Sequence, residues 1–179
     1  MTLKNVLSKS TLALLLILVS VSSCSDDDQP DPIAPTLKTA TYNYDFNTGQ
    51  VASTFAYAGT HSNTLSADIL LEEQANGQTR VTLTLNNTMT GETYHIHSHD
   101  AADPDTTPNG TPYNETPNGN VFVQQIDGNG GSVSASQMST ETFADLTTTY
   151  DGFLVVHDPL QAVSTVDPTT YVILGLFAR

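Results

Sequence analysis

The sequence predicts an all-β protein, an antiparallel sandwich or barrel, and three observations carry that prediction. Seven or eight short runs alternate apolar and polar residues or are rich in β-branched and aromatic ones. Glycine, asparagine and aspartate cluster between these runs, where turns need them. Helical periodicity is almost absent, with room for one short turn of helix between Ser139 and Tyr150.

The chain opens differently. Residues 1–23 carry Lys4 and Lys9, then the apolar run Leu12 to Val19, then small residues, the pattern of a signal peptide. The run is well short of the roughly 20 apolar residues that span a membrane. Val21-Ser22-Ser23-Cys24 resembles the lipobox of bacterial lipoproteins, so Cys24 is expected to become the lipidated N-terminus. It is the only cysteine, which leaves no intrachain disulfide to form. Residues 24–36 contain Asp26-Asp27-Asp28, Asp31 and three prolines, and like charge with proline makes an extended tether rather than a core. A serine and acidic residues just after the cysteine also resemble a surface-export signal, although a plain acidic linker has the same composition. The expected location is therefore the bacterial cell envelope, as an outer-membrane lipoprotein facing the periplasm or the surface.

Residues 37–179 are long enough for one domain with a core. The first strand is Thr39 to Phe46, with Tyr42, Tyr44 and Phe46 on one side. Ser66 to Leu71 and Arg80 to Leu85 flank Ala75-Asn76-Gly77, whose Asn-Gly signals a hairpin. A strand around Tyr94 to Asp100 follows. Asn120 to Ile126 and Ser132 to Ser134 suggest a further hairpin across Asp127-Gly128-Asn129-Gly130-Gly131. Phe153 to His157 and Thr170 to Phe177 complete the set. Asp100 to Gly119 is a long loop with a small echo, Thr107-Pro108-Asn109-Gly110 and Thr116-Pro117-Asn118-Gly119. A loop that long in a compact domain is usually functional or disordered, and its position beside histidines favours function.

Charge narrows the partners. Once Lys4 and Lys9 leave with the signal segment, 19 acidic residues face Lys38, Arg80 and Arg179, a formal charge of 3 − 19 = −16. Nucleic acid and anionic membrane surfaces are poor partners for such a surface, so membrane association is expected through the lipid alone.

The candidate chemistry lies in Tyr94-His95-Ile96-His97-Ser98-His99-Asp100. Three of the five histidines occupy alternate positions, so an extended strand projects His95, His97 and His99 to one face, with Tyr94 and Ile96 turned to the core. Neutral imidazole suits copper, zinc, nickel and iron. His157 closes its own strand, and His61 is the fifth. An exposed strand that merely carries histidines is the bland alternative.

These residues carry a resemblance. An aromatic-His-Ile-His strand, a long loop, a hairpin with Asp-Gly, then Phe153-Leu154-Val155-Val156-His157-Asp158 and a terminal Val172-Ile173-Leu174-Gly175-Leu176 resemble the copper/zinc superoxide dismutase family, in that order along the domain. The resemblance implies a Greek-key β-barrel of about eight strands. It implies copper bound by His95, His97 and His157, with His99 or His61 as a further ligand or an open position for water. It also implies conversion of superoxide to oxygen and hydrogen peroxide.

The departures bear on the same site. The family's bridging histidine is expected near Pro112-Tyr113-Asn114, and no histidine stands there or anywhere between Asp100 and Asn120. Zinc of the family type is therefore not expected. The disulfide cysteines are missing, and Asp167-Pro168-Thr169-Thr170 occupies the stretch of the anion-guiding arginine. What remains is a zinc-free copper site. Two other classes fit: a copper-binding lipoprotein that buffers or hands on the metal without turnover, or a chordin-like (CHRD) β-sandwich binding module. The chordin-like pattern shares the His-Ile-His strand but usually ends in Gly-Glu-Ile-Arg-Gly, which is absent here. Hydrolytic chemistry has no motif in the chain: there is no Gly-x-Ser-x-Gly, His-Glu-x-x-His or phosphate loop. Asp158 is expected to cap the turn before Pro159 or, in the alternative, to orient His157.

Overall fold

The structure is a computed structural model that describes residues 36–103 and 111–179. The signal segment 1–23, Cys24 and the tether as far as residue 35 lie outside the described residues, as do loop residues 104–110. Nine strands follow one another: β1 Thr39–Tyr44, β2 Ser66–Glu73, β3 Thr79–Asn86, β4 Thr93–Ala101, β5 Tyr113–Pro117, β6 Val123–Asp127, β7 Val133–Ser139, β8 Gly152–His157 and β9 Tyr171–Leu176. One short helix, α1 Phe143–Thr148, lies between β7 and β8. Its start is set locally, because Thr142 Oγ1 accepts a hydrogen bond from the Asp145 N–H at 3.1 Å. No helix among the described residues is long and apolar enough to cross a membrane.

Two antiparallel sheets form a sandwich. One has the order β1-β2-β3-β7; the other has β5-β4-β8-β9, with β6 also paired to β4. The sheets do not close on each other, so the architecture is an open sandwich rather than a sealed barrel. Connections β3–β4 and β6–β7 pass from one sheet to the other, the crossing expected of Greek-key connections.

Alternation builds the core. On β3, Val81, Leu83 and Leu85 are fully buried while Arg80 is exposed, and they pack with Ala67, Ile69 and Leu71 of β2. Tyr94 and Ile96 of β4 and Leu154 and Val156 of β8 meet them from the other sheet. Each fully buried large apolar side chain contributes roughly 1.5–3 kcal/mol. Strand β8 does not alternate, because both of its faces are covered: Phe153 and Val155 join Tyr113, Tyr171 and Leu174 in a second cluster, with Val51 and Phe55 against it. Segment 47–58 is held along β9 by Asn47, whose N–H donates to the Val172 carbonyl and whose Nδ2 donates to the Tyr171 carbonyl, and by the Ala58 N–H to Thr169.

Two expectations need correction. The β2–β3 hairpin forms as expected around Gly77 at φ 84°, but β6 and β7 do not pair as a hairpin; they lie in different sheets. The glycines between them bond instead to the 88–92 turn, with Thr88 N–H donating to Gly131 O, Gly91 N–H to Gly128 O and Gly128 N–H to Glu92 O. A Cβ on Gly128 would collide with the Met89 carbonyl oxygen, so this close approach requires glycine. Second, the long loop contains a ninth strand: β5 pairs with β4 through His99–Pro117 and Ala101–Tyr113. Of the sandwich and the barrel, both expected, the sandwich is the form found. At one seam Tyr44 joins the two sheets, its hydroxyl donating to the Leu176 carbonyl and accepting from the Ala178 N–H.

Candidate metal centre

Strand β4 turns its histidines as the alternation requires. Tyr94, Ile96 and Ser98 are buried on the inner face, and His95, His97 and His99 lie on the outer face. Pairing with β8 sets His97 opposite Val155 and His99 opposite Phe153. His157 ends β8 on the same outer face. There the β8–β9 register slips by one residue, with Val156 opposite Ile173 and His157 opposite Tyr171, so Val172 is the extra residue.

The sheet thereby brings two imidazoles into contact: His157 Nε2 lies 3.3 Å from His97 Nδ1. Their ring centroids are 5.0 Å apart, and His99 stands 5.7 Å from His97. The rings close a circuit. His157 meets Tyr171 at 4.8 Å, Tyr171 meets Tyr113 at 5.9 Å, and Tyr113 meets His99 at 5.1 Å. The Tyr113 hydroxyl donates to the Tyr171 hydroxyl at 2.9 Å. His99 is fully buried, His157 is 2% exposed, and His97 and His95 are half-buried.

Burial sets the protonation. Desolvation, and then the neighbouring His99 and His95, push the His97 pKa down to about 4. His157 is driven down to about 3 by burial first and then by His97, His99 and His95. Burial also lowers His99, opposed by its hydrogen bond to Asn114 and the charge of Asp100. These three are therefore neutral at pH 7 and keep lone pairs available to a metal. Tyr113 is pushed up to about 12, chiefly by burial, and Tyr171 is raised further by burial and by Tyr113, so both phenols stay protonated.

The expected ligands thus divide. His97 and His157 touch. His95 shares their face, lies opposite Gln125 of β6, and is close enough for its charge to lower both. His61 is not brought to this group. Its Nδ1 donates to the Ser62 carbonyl at 2.7 Å, its Nε2 accepts from the Tyr94 hydroxyl at 2.8 Å, and its ring packs on Phe46 and Tyr94. Asp158 caps its turn by accepting from the Leu160 N–H, and its other oxygen accepts from Tyr57 and Gln161; it bonds to no imidazole. Among the described residues no three His, Cys, Asp or Glu side chains already converge around a metal position.

Tyr113, Asn114 and Tyr171 were missed by sequence reasoning. Tyr113 had a usable signal, being the only aromatic residue between Asp100 and Gly119. The Asn114 contribution is a carbonyl, to which no side-chain pattern points. No family model, curated protein or solved structure matches the chain.

Proposed function

We propose that this chain is an exported, lipid-anchored copper-binding protein of superoxide dismutase-like type, zinc-free, holding one copper ion through His97 and His157 with His95 as the third ligand. One observation carries the reading: the 3.3 Å between His97 Nδ1 and His157 Nε2. That is long for a hydrogen bond. Metal–nitrogen bonds of about 2.0–2.1 Å at the tetrahedral angle separate two ligand nitrogens by roughly 3.3–3.4 Å. The donor type fits as well, since imidazole suits copper. Because only a pair converges, the third imidazole, that of half-buried His95, joins by side-chain rotation.

Copper held there supplies a one-electron couple. The chain's own residues hold His97 and His157 neutral, wall one side of the group with Tyr113 and Tyr171, and leave half-buried His97 as the approach from solvent. Attraction of superoxide is the weaker part. Arg179 pairs with Asp151 at 3.4 Å, and Arg80 lies on the other sheet. Storage or hand-on of the metal needs no such steering, so binding is the core of the proposal and dismutation its catalytic extension.

The test is metal content by mass spectrometry after loading with Cu(II), for wild type and His97→Ala. One copper per chain, lost in the variant, supports the site. No copper in either protein sinks it. Superoxide removal by the loaded wild type then separates an enzyme from a carrier.

A further inference from the structure

His99 has one nitrogen engaged and one idle. Its Nδ1 lies 2.7 Å from the Asn114 carbonyl oxygen. A carbonyl only accepts, so Nδ1 carries the proton and Nε2 carries a lone pair. That Nε2 is buried and has no hydrogen-bond partner among the described residues. His61 provides the contrast, since both of its nitrogens are satisfied. A buried acceptor left empty is costly and uncommon, and it calls for an explanation.

We infer that His99 Nε2 is a copper ligand, pre-oriented by the Asn114 carbonyl, so that the site is built around a fixed imidazole beyond His95, His97 and His157. The inference rests on the copper reading above and adds a ligand to it. Two geometric facts support it. An imidazole donating the N–H of its other ring nitrogen to a backbone carbonyl is the usual arrangement of a metal-bound histidine, because the bond sets both tautomer and ring orientation. Ring separations fit as well. An imidazole centroid lies roughly 3.2 Å from a metal on its nitrogen, so two ligands at the tetrahedral angle have centroids about 5.2 Å apart and at wider angles up to about 6.4 Å. The 5.7 Å of His97–His99 falls within this range, and the 5.0 Å of His97–His157 lies just below its lower end.

Packing makes His99 the stationary member. It is fully exposed to nothing but protein, lying against the Tyr113 ring at 5.1 Å and flanked by β5 and β8. His95 and His97, half-buried, are the more exposed members. The strand inside the long loop therefore has a role: β5 supplies the carbonyl that aims His99 and the ring that holds it.

The experiment uses the full-length chain in detergent, with Cu(I) as the diamagnetic probe. Long-range proton–nitrogen spectra of histidine-labelled wild type follow each ring nitrogen through the titration. His99→Phe and His97→Ala are titrated for affinity alongside. We expect the His99 Nε2 resonance to shift on metal addition while Nδ1 keeps its proton, and His99→Phe to weaken copper at least about tenfold. Phenylalanine preserves the packing against Tyr113, and the resonance measurement on wild type stands even if that variant fails to fold. An unmoved His99 Nε2, with His97→Ala still abolishing binding, overturns this inference and leaves the copper reading intact. Wild type that takes up no copper, or His97→Ala that binds as wild type does, overturns both.

Discussion

Acid should destabilise the metal-free protein through its buried histidines, and His157 allows the size of the effect to be worked out. In the unfolded chain the imidazole titrates near 6.5. In the fold, burial and the neighbouring imidazoles hold it at about 3. The unfolded state therefore binds a proton that the folded state refuses, and stability rises with pH across this window. Its contribution is intact above about pH 6.5 and is lost progressively as pH falls, levelling off only near the folded value of about 3. At pH 5, 1.5 units below the unfolded value, the loss is about 2 kcal/mol at about 1.4 kcal/mol per unit. His97, lowered to about 4, acts in the same direction. The assay is urea unfolding in chelator at pH 7, 6 and 5, for wild type and His157→Phe. Phenylalanine keeps a ring beside Tyr171 without a titrating nitrogen, and subtraction of the two curves removes the carboxylates common to both. Wild type should lose about 2 kcal/mol more than the variant between pH 7 and pH 5. Parallel curves would refute the claim that the fold holds His157 neutral.

Other perturbations separate structural from ligand roles. Tyr171→Phe leaves the Tyr113 hydroxyl as a buried donor without its acceptor and should cost about 1–3 kcal/mol in urea unfolding; removing both hydroxyls should cost clearly less than the two single changes together. Gly128→Ala forces a Cβ into the Met89 carbonyl and should destabilise by about 1–3 kcal/mol, with the shift seen in thermal unfolding. His61→Ala should lower stability by about 1–3 kcal/mol, because the Tyr94 hydroxyl and Ser62 carbonyl lose their partner, yet leave copper content at the wild-type level. A loss of copper in that variant would return His61 to the ligand set.

Much of the sandwich was legible because a strand's side-chain period is two and one face of each sheet is dry. Val81, Leu83 and Leu85 announce their strand, and Asn76-Gly77 its turn. The same period set His95, His97 and His99 on one face before any tertiary contact was known. What that period does not carry is which strand lies beside which. The Gly128–Gly131 stretch reads as a local hairpin, yet its glycines serve the 88–92 turn, an approach that only the crossing between sheets creates.

The site divides along the same line. The sequence by itself determined the donor type and the shared face, through spacing within one strand. Only tertiary structure decided the partners. The β4–β8 pairing carries His157 to His97 across 60 residues of sequence, and the slip at Val172 sets Tyr171 against it. Burial then drives the imidazoles to their neutral form, a consequence of the surrounding low dielectric rather than of residue type. The Asn114 carbonyl that holds His99 belongs to the backbone, which every residue possesses, so only the folded path of the chain could distinguish it.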